Sequence, residues 1–466
     1  MNTATSPTID GVPESGNLAL DPRTLKRPPG APRGTLIGNI AQLAKDPLIF
    51  MKAMSGGRPI TRICIGTEKL VFLTDPALIH QVLVGRASEM VKDAITQKLN
   101  ETMGNGLLTS EGSFWRRQRK LMSPLFSRKH LAAYATTMVQ RTEIAAAEWQ
   151  TGQERDFHVD SMALTLDIIF RTVFGAEMDA GAAVKVGHAI ELMMNQFELE
   201  LRTWRRFVPK HWLRKGRART AEAKKTLDEI VYELIRQKRE AGAQGDDLVS
   251  RLLSAKGDDG ATMSDTQVRD EAVTMVVAGH ETTALVLTFS AMLLSDHPEK
   301  AAKLREELDT LFKGRSPTLD DLSVLVFTKA VVLEAMRLYP PAYVIGRQAE
   351  KTIELGGYRI DPGDQLLVPQ YVLHRDTRWF ENPNDFEPER WLDGLEARLP
   401  EHTYMPFGGG PRICIGQHFA MMEAILCLAT LMQRVELKLV ADQSRDLSPA
   451  VTLRPKHGCR VTVERR

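Results

Sequence analysis

Cys414 is the residue whose surroundings most resemble a reagent rather than a packing unit. It lies in Phe407-Gly408-Gly409-Gly410-Pro411-Arg412-Ile413-Cys414-Ile415-Gly416. Three consecutive glycines followed by proline suit neither helix nor strand, so the segment reads as a tight loop whose backbone comes close to something. The residues that follow, 417–432, are strong helix formers with a broad apolar face. Cys414 therefore stands just before a helix N-terminus, where amide N–H groups and the helix dipole favour a thiolate. A thiolate so presented can bind iron. The alternative for an arbitrary cysteine is a buried core thiol beside a glycine turn.

The sequence carries its own control, because Arg-Ile-Cys-Ile-Gly occurs a second time at Arg62–Gly66. There it sits between two β-rich runs around Gly66-Thr67, which predict a hairpin and make Cys64 structural. The pentapeptide alone carries little information; its surroundings carry most. With Phe407, Gly410, Arg412, Cys414 and Gly416 all in place, Phe-x-x-Gly-x-Arg-x-Cys-x-Gly resembles the haem-ligand loop of the cytochrome P-450 superfamily.

Other stretches fit that resemblance in chain order. Ser113 is placed to cap a helix on which Trp115 and Arg119 share a face by four-residue spacing. Taken alone this is a basic, solvated helix face; within the resemblance it is similar to the Trp-x-x-x-Arg element that bonds a haem propionate. Ser264 and Gln267 have capping-box spacing ahead of an apolar pattern that runs to Ser295, before Pro298. This predicts a helix of roughly 30 residues, about 45 Å long. At its middle stand Ala278-Gly279-His280-Glu281-Thr282-Thr283, where glycine and paired threonines predict a local opening of the hydrogen-bond ladder. Small residues for close packing are the other reading. The hexapeptide resembles the superfamily's oxygen-binding groove, which implies Ala278 at the haem and Glu281 and Thr282 as the acid and alcohol that deliver protons.

Glu334 and Arg337 share a helix face, and Arg390 follows in Phe386-Glu387-Pro388-Glu389-Arg390-Trp391. An isolated Glu-x-x-Arg is usually a surface pair. The resemblance implies instead that Glu334, Arg337 and Arg390 form a structural triad behind the haem loop, and that Arg347, after Pro340-Pro341, reaches the second propionate. Residues 351–373 alternate around Gly-Gly and Pro-Gly turns and predict a β-rich lobe. His374-Arg375-Asp376 is similar to a kinase catalytic loop, but Glu381 stands where that motif needs Asn and no phosphate loop precedes it.

These elements need one large framework, and the sequence predicts one that is mainly α. Long helical patterns cover 131–150, 161–175, 182–201 and 221–241, beside a small β-rich lobe; residues 91–112, with three glycines, read as an irregular loop. The polar, Pro-rich residues 1–34 read as an extended or disordered arm and 35–466 as a single domain. Leu201–Thr220, with eight Lys or Arg and no acid, reads as a lid or a solvated connector. The 466 residues are 43% apolar and 26% charged with net charge +2, which excludes a strongly basic nucleic-acid binder. Four cysteines are no disulfide framework and predict a reducing compartment. No leader and no run of roughly 18 apolar residues is visible, so a monomeric cytoplasmic enzyme of bacterial type without a transmembrane anchor is expected.

The resemblance implies haem b as cofactor, electrons from NAD(P)H through a separate redox partner, and insertion of one oxygen atom from O2 into a lipophilic substrate. An acidic ferredoxin or flavodoxin is expected to dock on Arg116, Arg117, Lys120, Arg128 and Lys129. Leu107, Leu108, Met275, Ala278 and residues 342–345 are expected to wall the pocket. The wording around 278–283 and 414–420 is similar to fatty-acid hydroxylases, so fatty acids lead, with terpenoids, steroids and polyketides behind. A peroxide-driven or isomerising haem-thiolate enzyme and a non-catalytic haem sensor stay open.

Overall fold

A computed structural model describes residues 21–30, 42–43, 45–55, 57–65, 68–175, 180–201, 214–257 and 260–466. The helix Asp265–Asp296 runs through its middle. Its start is set as the sequence predicts: Ser264 accepts from the Gln267 amide, and the Gln267 side chain accepts from the Ser264 amide at 2.8 Å. Twenty-two of its residues are buried, from Val268 to Leu294. By length and composition it could cross a membrane, but 78% of its most apolar window is buried inside the protein.

That central helix packs most extensively on Phe157–Phe174 and also meets Val326–Leu338 and Gln417–Arg434. Helices Arg128–Ala147, Ala180–Leu201, Arg214–Glu240 and Pro298–Phe312 extend the α layer, and the core is continuous through Leu285, Phe289, Leu333 and Leu428. The expected opening at 278–283 is absent, since the helix stays α throughout. Gly279 has a packing reason instead: a Cβ there would meet Ile169 Cδ1 at 3.0 Å. The Thr282 hydroxyl bonds back to the Ala278 carbonyl at 2.8 Å, which satisfies it without breaking the ladder.

The β lobe is a five-stranded sheet. Strands β1 (Ile60–Ile65) and β2 (Glu68–Leu73) form the predicted hairpin, and β3 is Met90–Lys92. A short β4 (Glu154–Asp156) belongs to another sheet; β5 (Ile345–Ala349), β6 (Ile353–Leu355), β7 (Tyr358–Ile360) and β8 (Gln365–Val368) follow. The spatial order β1-β2-β8-β5-β3 brings the chain's first hundred residues against its last third. The remaining strands are β9 (Val435–Leu439), the hairpin pair β10 (Leu447–Pro449) and β11 (Leu453–Pro455), and β12 (Arg460–Arg465).

Two local readings need correction. Residues 91–112 are not one irregular loop: Met90–Lys92 pairs with β5, and Asp93 caps a helix Ala94–Lys98 by accepting from the Ile95 and Thr96 amides. Only the part between Met103 and Gly112 is irregular. Ser113 does not cap the helix Gly112–Met122; Glu111 holds that position without a side-chain cap. Of the N-terminal arm, 21–30 docks by backbone, with the Arg62 amide donating to Pro29 O at 2.9 Å and the Arg359 amide to Lys26 O at 2.9 Å. The turn at 66–67 and most of the basic stretch 201–220 lie outside the described residues, of which 214–220 continue as helix.

Candidate active site

The loop before Cys414 is built by its glycines. Gly408 and Gly410 take φ of 79° and 68°, and the Leu83 carbonyl occupies the space a Cβ on Gly410 would need. The Cys414 amide donates to Phe407 O at 2.9 Å, closing the loop, and the helix Gln417–Arg434 begins three residues on. Phe407 packs on the main core. Cys414 keeps some accessible surface while protein surrounds its sulfur closely, so burial pushes the thiol above its ordinary value. The Gly416 amide, Arg119 and Lys92 pull it down by less. The thiolate expected from the helix N-terminus alone is thus outweighed by burial, and a bound cation would restore it. Cys64 lies on β1, exposed, opposite Lys69.

Ala278 is exposed although it sits in a mostly buried helix, and Met275, Gly279 and Thr282 are half-open. These positions are three and four residues apart, so they form one stripe along the helix. A stripe of this kind in a core helix marks an internal space. Leu108 and residues 344–345 are half-open as well, whereas Leu107 is buried. Glu281, one residue before Thr282 and therefore turned about 100° around the helix, is buried and faces elsewhere. It accepts from the Thr452 hydroxyl at 2.7 Å and pairs with Arg454, which reaches Glu198 at 2.8 Å.

Cations gather at one edge of the loop. Arg119 donates to Ile413 O and Arg412 to Ser110 O, both at 2.8 Å; Arg412 also pairs with Glu111 and lies 3.9 Å above the Trp115 ring. Arg347, 8% exposed, spends a donor on its own neighbour, Gly346 O, at 2.7 Å. Directly opposite it across the β3–β5 ladder is Lys92. Like charges in that register repel, and burial, then Arg347 and Arg412, push Lys92 down to about 7. Neither Lys92 nor Glu111 was visible as a site residue in the sequence, because the strand pairing that makes them neighbours of Arg347 and Arg412 is long-range.

A haem, the group that the loop's resemblance implies, fits this lining. The loop offers an exposed thiol, and the central helix an open alanine and threonine. The loop's edge carries facing cations, Lys92 and Arg347, whose repulsion two propionates would relieve. Trp115, Arg119 and Arg412 stand on the same edge.

Behind the loop, Glu334 receives Arg337 through two bonds of 2.8 Å and Arg390 at 3.0 Å, all essentially out of solvent. The Trp391 indole and the Glu387 amide add bonds of 2.9 and 3.0 Å. Arg337 in turn donates to the carbonyls of His374, Pro383 and Asp385. His374 Nε2 accepts from the Met405 amide at 3.1 Å, two residues before Phe407. That role requires a neutral ring, and burial holds His374 down at about 3. The kinase-like tripeptide is therefore part of the loop's support. Glu334, Arg337 and Arg390, which the resemblance brought together, are bonded to one another, and Trp391, adjacent to Arg390 in the sequence, is the further partner that was missed.

The cytochrome P450 family model matches residues 28–461. Cyclooctatin synthase of Streptomyces melanosporofaciens is 32% identical over 93% of each chain, and pentalenene oxygenase of Streptomyces avermitilis is 31% identical over 92% of this chain and 94% of the other. The crystal structure of a cytochrome P450DA heme domain superposes with a TM-score of 0.83, covering 95% of this chain and 98% of that one at 25% identity. With the thiol loop, the open stripe of the central helix and the buried triad all in place, the chain belongs to the cytochrome P450 family and is a haem-dependent monooxygenase.

Proposed function

We propose that this monooxygenase hydroxylates or epoxidises a terpenoid. The observations that support the reading are an exposed Cys414 after its glycine loop and the Ala278–Thr282 stripe left open in an otherwise mostly buried helix. Two relatives similar over nearly the whole chain are named for cyclooctatin and pentalenene chemistry, which moves terpenoids ahead of the fatty acids expected from sequence wording. A fatty acid also calls for a cation at its carboxylate. Among the described residues, Arg454 is committed to Glu281 and Glu198, and Lys92, Arg347 and Arg412 are assigned to the propionate edge. Substrate-induced shifts of the haem absorption test this directly. Cyclic terpenes are expected to saturate the shift at lower concentration than long-chain fatty acids; the opposite order returns fatty acids to first place.

In this reading Cys414 ligates the iron and Lys92, Arg119, Arg347 and Arg412 hold the propionates. When bound, haem supplies the oxygen chemistry. Thr282 presents its hydroxyl to the cleft and moves a proton there by giving up its bond to Ala278 O. Glu281 supplies protons behind it, which requires its pair with Arg454 to open. Electrons come from NAD(P)H through a separate acidic ferredoxin or flavodoxin. Arg116, Arg117 and Lys120 are exposed on the helix that carries Trp115 and Arg119, where such a partner would dock; the side chains of Arg128 and Lys129 lie outside the described residues.

Thr282→Ala is expected to keep its haem and its substrate affinity and still consume reductant, while yielding less product and more hydrogen peroxide. The measurement is product formed per reductant consumed. An unchanged ratio makes Thr282 a packing residue and passes the relay to Thr283. Retention of this alcohol and acid favours turnover over a sensor.

A further inference from the structure

We propose that His80, Glu401 and His402 form a divalent-metal site, suited to Zn2+, against the back of the cysteine loop. Among the described residues their ligand atoms all lie within 4.8 Å of one another. His80 Nδ1 is 3.3 Å from Glu401 Oε2, and His402 Nε2 is 3.6 Å from Glu401 Oε1. Around a tetrahedral zinc with bonds of about 2.0–2.2 Å, donor atoms stand roughly 3.3 Å apart. Small rotations of the two more exposed side chains, His80 and Glu401, bring all three onto one ion. Two imidazoles and one carboxylate suit zinc and leave a fourth position for water.

The independent sign of a missing ligand is His402. It is 7% exposed, and its Nε2 is buried without a hydrogen-bond partner while pointing toward the Glu401 carboxylate. Buried polar nitrogens are nearly always satisfied. An ordinary His80–Glu401 ion pair explains the two exposed groups and leaves this nitrogen unexplained. The backbone at His402 has φ of 67°, a left-handed conformation that few non-glycine residues adopt, and it holds the ring in this position.

The site reaches the chemistry by contact. A Cβ on Gly409 would meet the His402 ring at 3.0 Å, so that ring lies directly on the glycine run of the cysteine loop. Just after His80, the turn Gln81–Gly85 places the Leu83 carbonyl against Gly410. A metal joining His80 to His402 therefore ties together the two segments that press on the loop from behind. Occupancy makes the loop harder to open and the holoenzyme slower to lose its haem.

The test uses haem-loaded enzyme, in which the Cys414 sulfur is committed, freed of adventitious metal by a chelator and then titrated with zinc chloride. Metal analysis after desalting and calorimetry read the site. Wild type is expected to retain one zinc per chain, with an unshifted haem absorption band and a raised thermal midpoint. Losing a partner that merely orients a metal ligand costs about 10–100-fold in affinity, so losing a ligand is expected to cost at least that. His402→Ala removes the buried ligand. His80→Ala and Glu401→Gln change side chains that are 46% and 70% exposed, so they keep the test valid if His402→Ala misfolds. No retained zinc in wild type, or equal retention in His80→Ala and Glu401→Gln, overturns the proposal. Activity does not enter the readout, so the proposed substrate class can fail without affecting it.

Discussion

Glu334→Ala is expected to leave little holoenzyme. Glu334 is fully buried and accepts from Arg337, Arg390, Trp391 and the Glu387 amide. Alanine removes every one of those acceptors at once and leaves two guanidinium groups in the core with no carboxylate between them. Breaking a buried ion pair from one side costs about 3–5 kcal/mol, against a total stability of about 5–15 kcal/mol for a typical domain. The damage also has a direction. Arg337 fixes the His374 carbonyl, and His374 holds the Met405 amide at the entrance of the cysteine loop. The loop is therefore expected to loosen before the helical core does, so haem content falls further than helical signal. Glu334→Gln, which keeps oxygen and shape but not charge, is expected to fall between the two. Haem per chain and the urea midpoint measure the effect; an alanine variant that keeps both near wild type would reduce the triad to a bystander.

How much of this was legible in the sequence follows from the range of each interaction. Cys414, its glycine loop and the Glu334–Arg337 spacing are local, as is the Ser264–Gln267 box that starts the central helix, and the structure places all of them as spacing predicts. Residues whose neighbours come from far along the chain were invisible. Lys92 becomes a site residue only because β3 pairs with β5, and residues 91–112 were read as loop for the same reason. Arg454 reaches Glu281 only because a C-terminal hairpin folds back on the central helix. Glu281 and Thr282 look like a pair in sequence, yet adjacent helical residues point in different directions, and here they face different partners. At Gly279 the sequence left strain and close packing open; Ile169, on another helix, decides for packing.

The central claim is that Cys414 is the iron ligand and that its surroundings, not the shared pentapeptide, make it so. Cys414 is exposed at the end of its glycine loop and feels the charges of Arg119 and Lys92, whereas Cys64 lies exposed on a hairpin strand. Serine keeps the size of the side chain but is a far weaker ligand for haem iron than a thiolate, and it lacks the electron release that favours O–O cleavage. The measurement is the absorption of the reduced carbon-monoxide complex of Cys414→Ser and Cys64→Ser beside wild type. Cys414→Ser is expected to lose the thiolate-type band, and monooxygenation with it, while Cys64→Ser keeps both. A thiolate band that survives in Cys414→Ser, or disappears in Cys64→Ser, would contradict the account at its root.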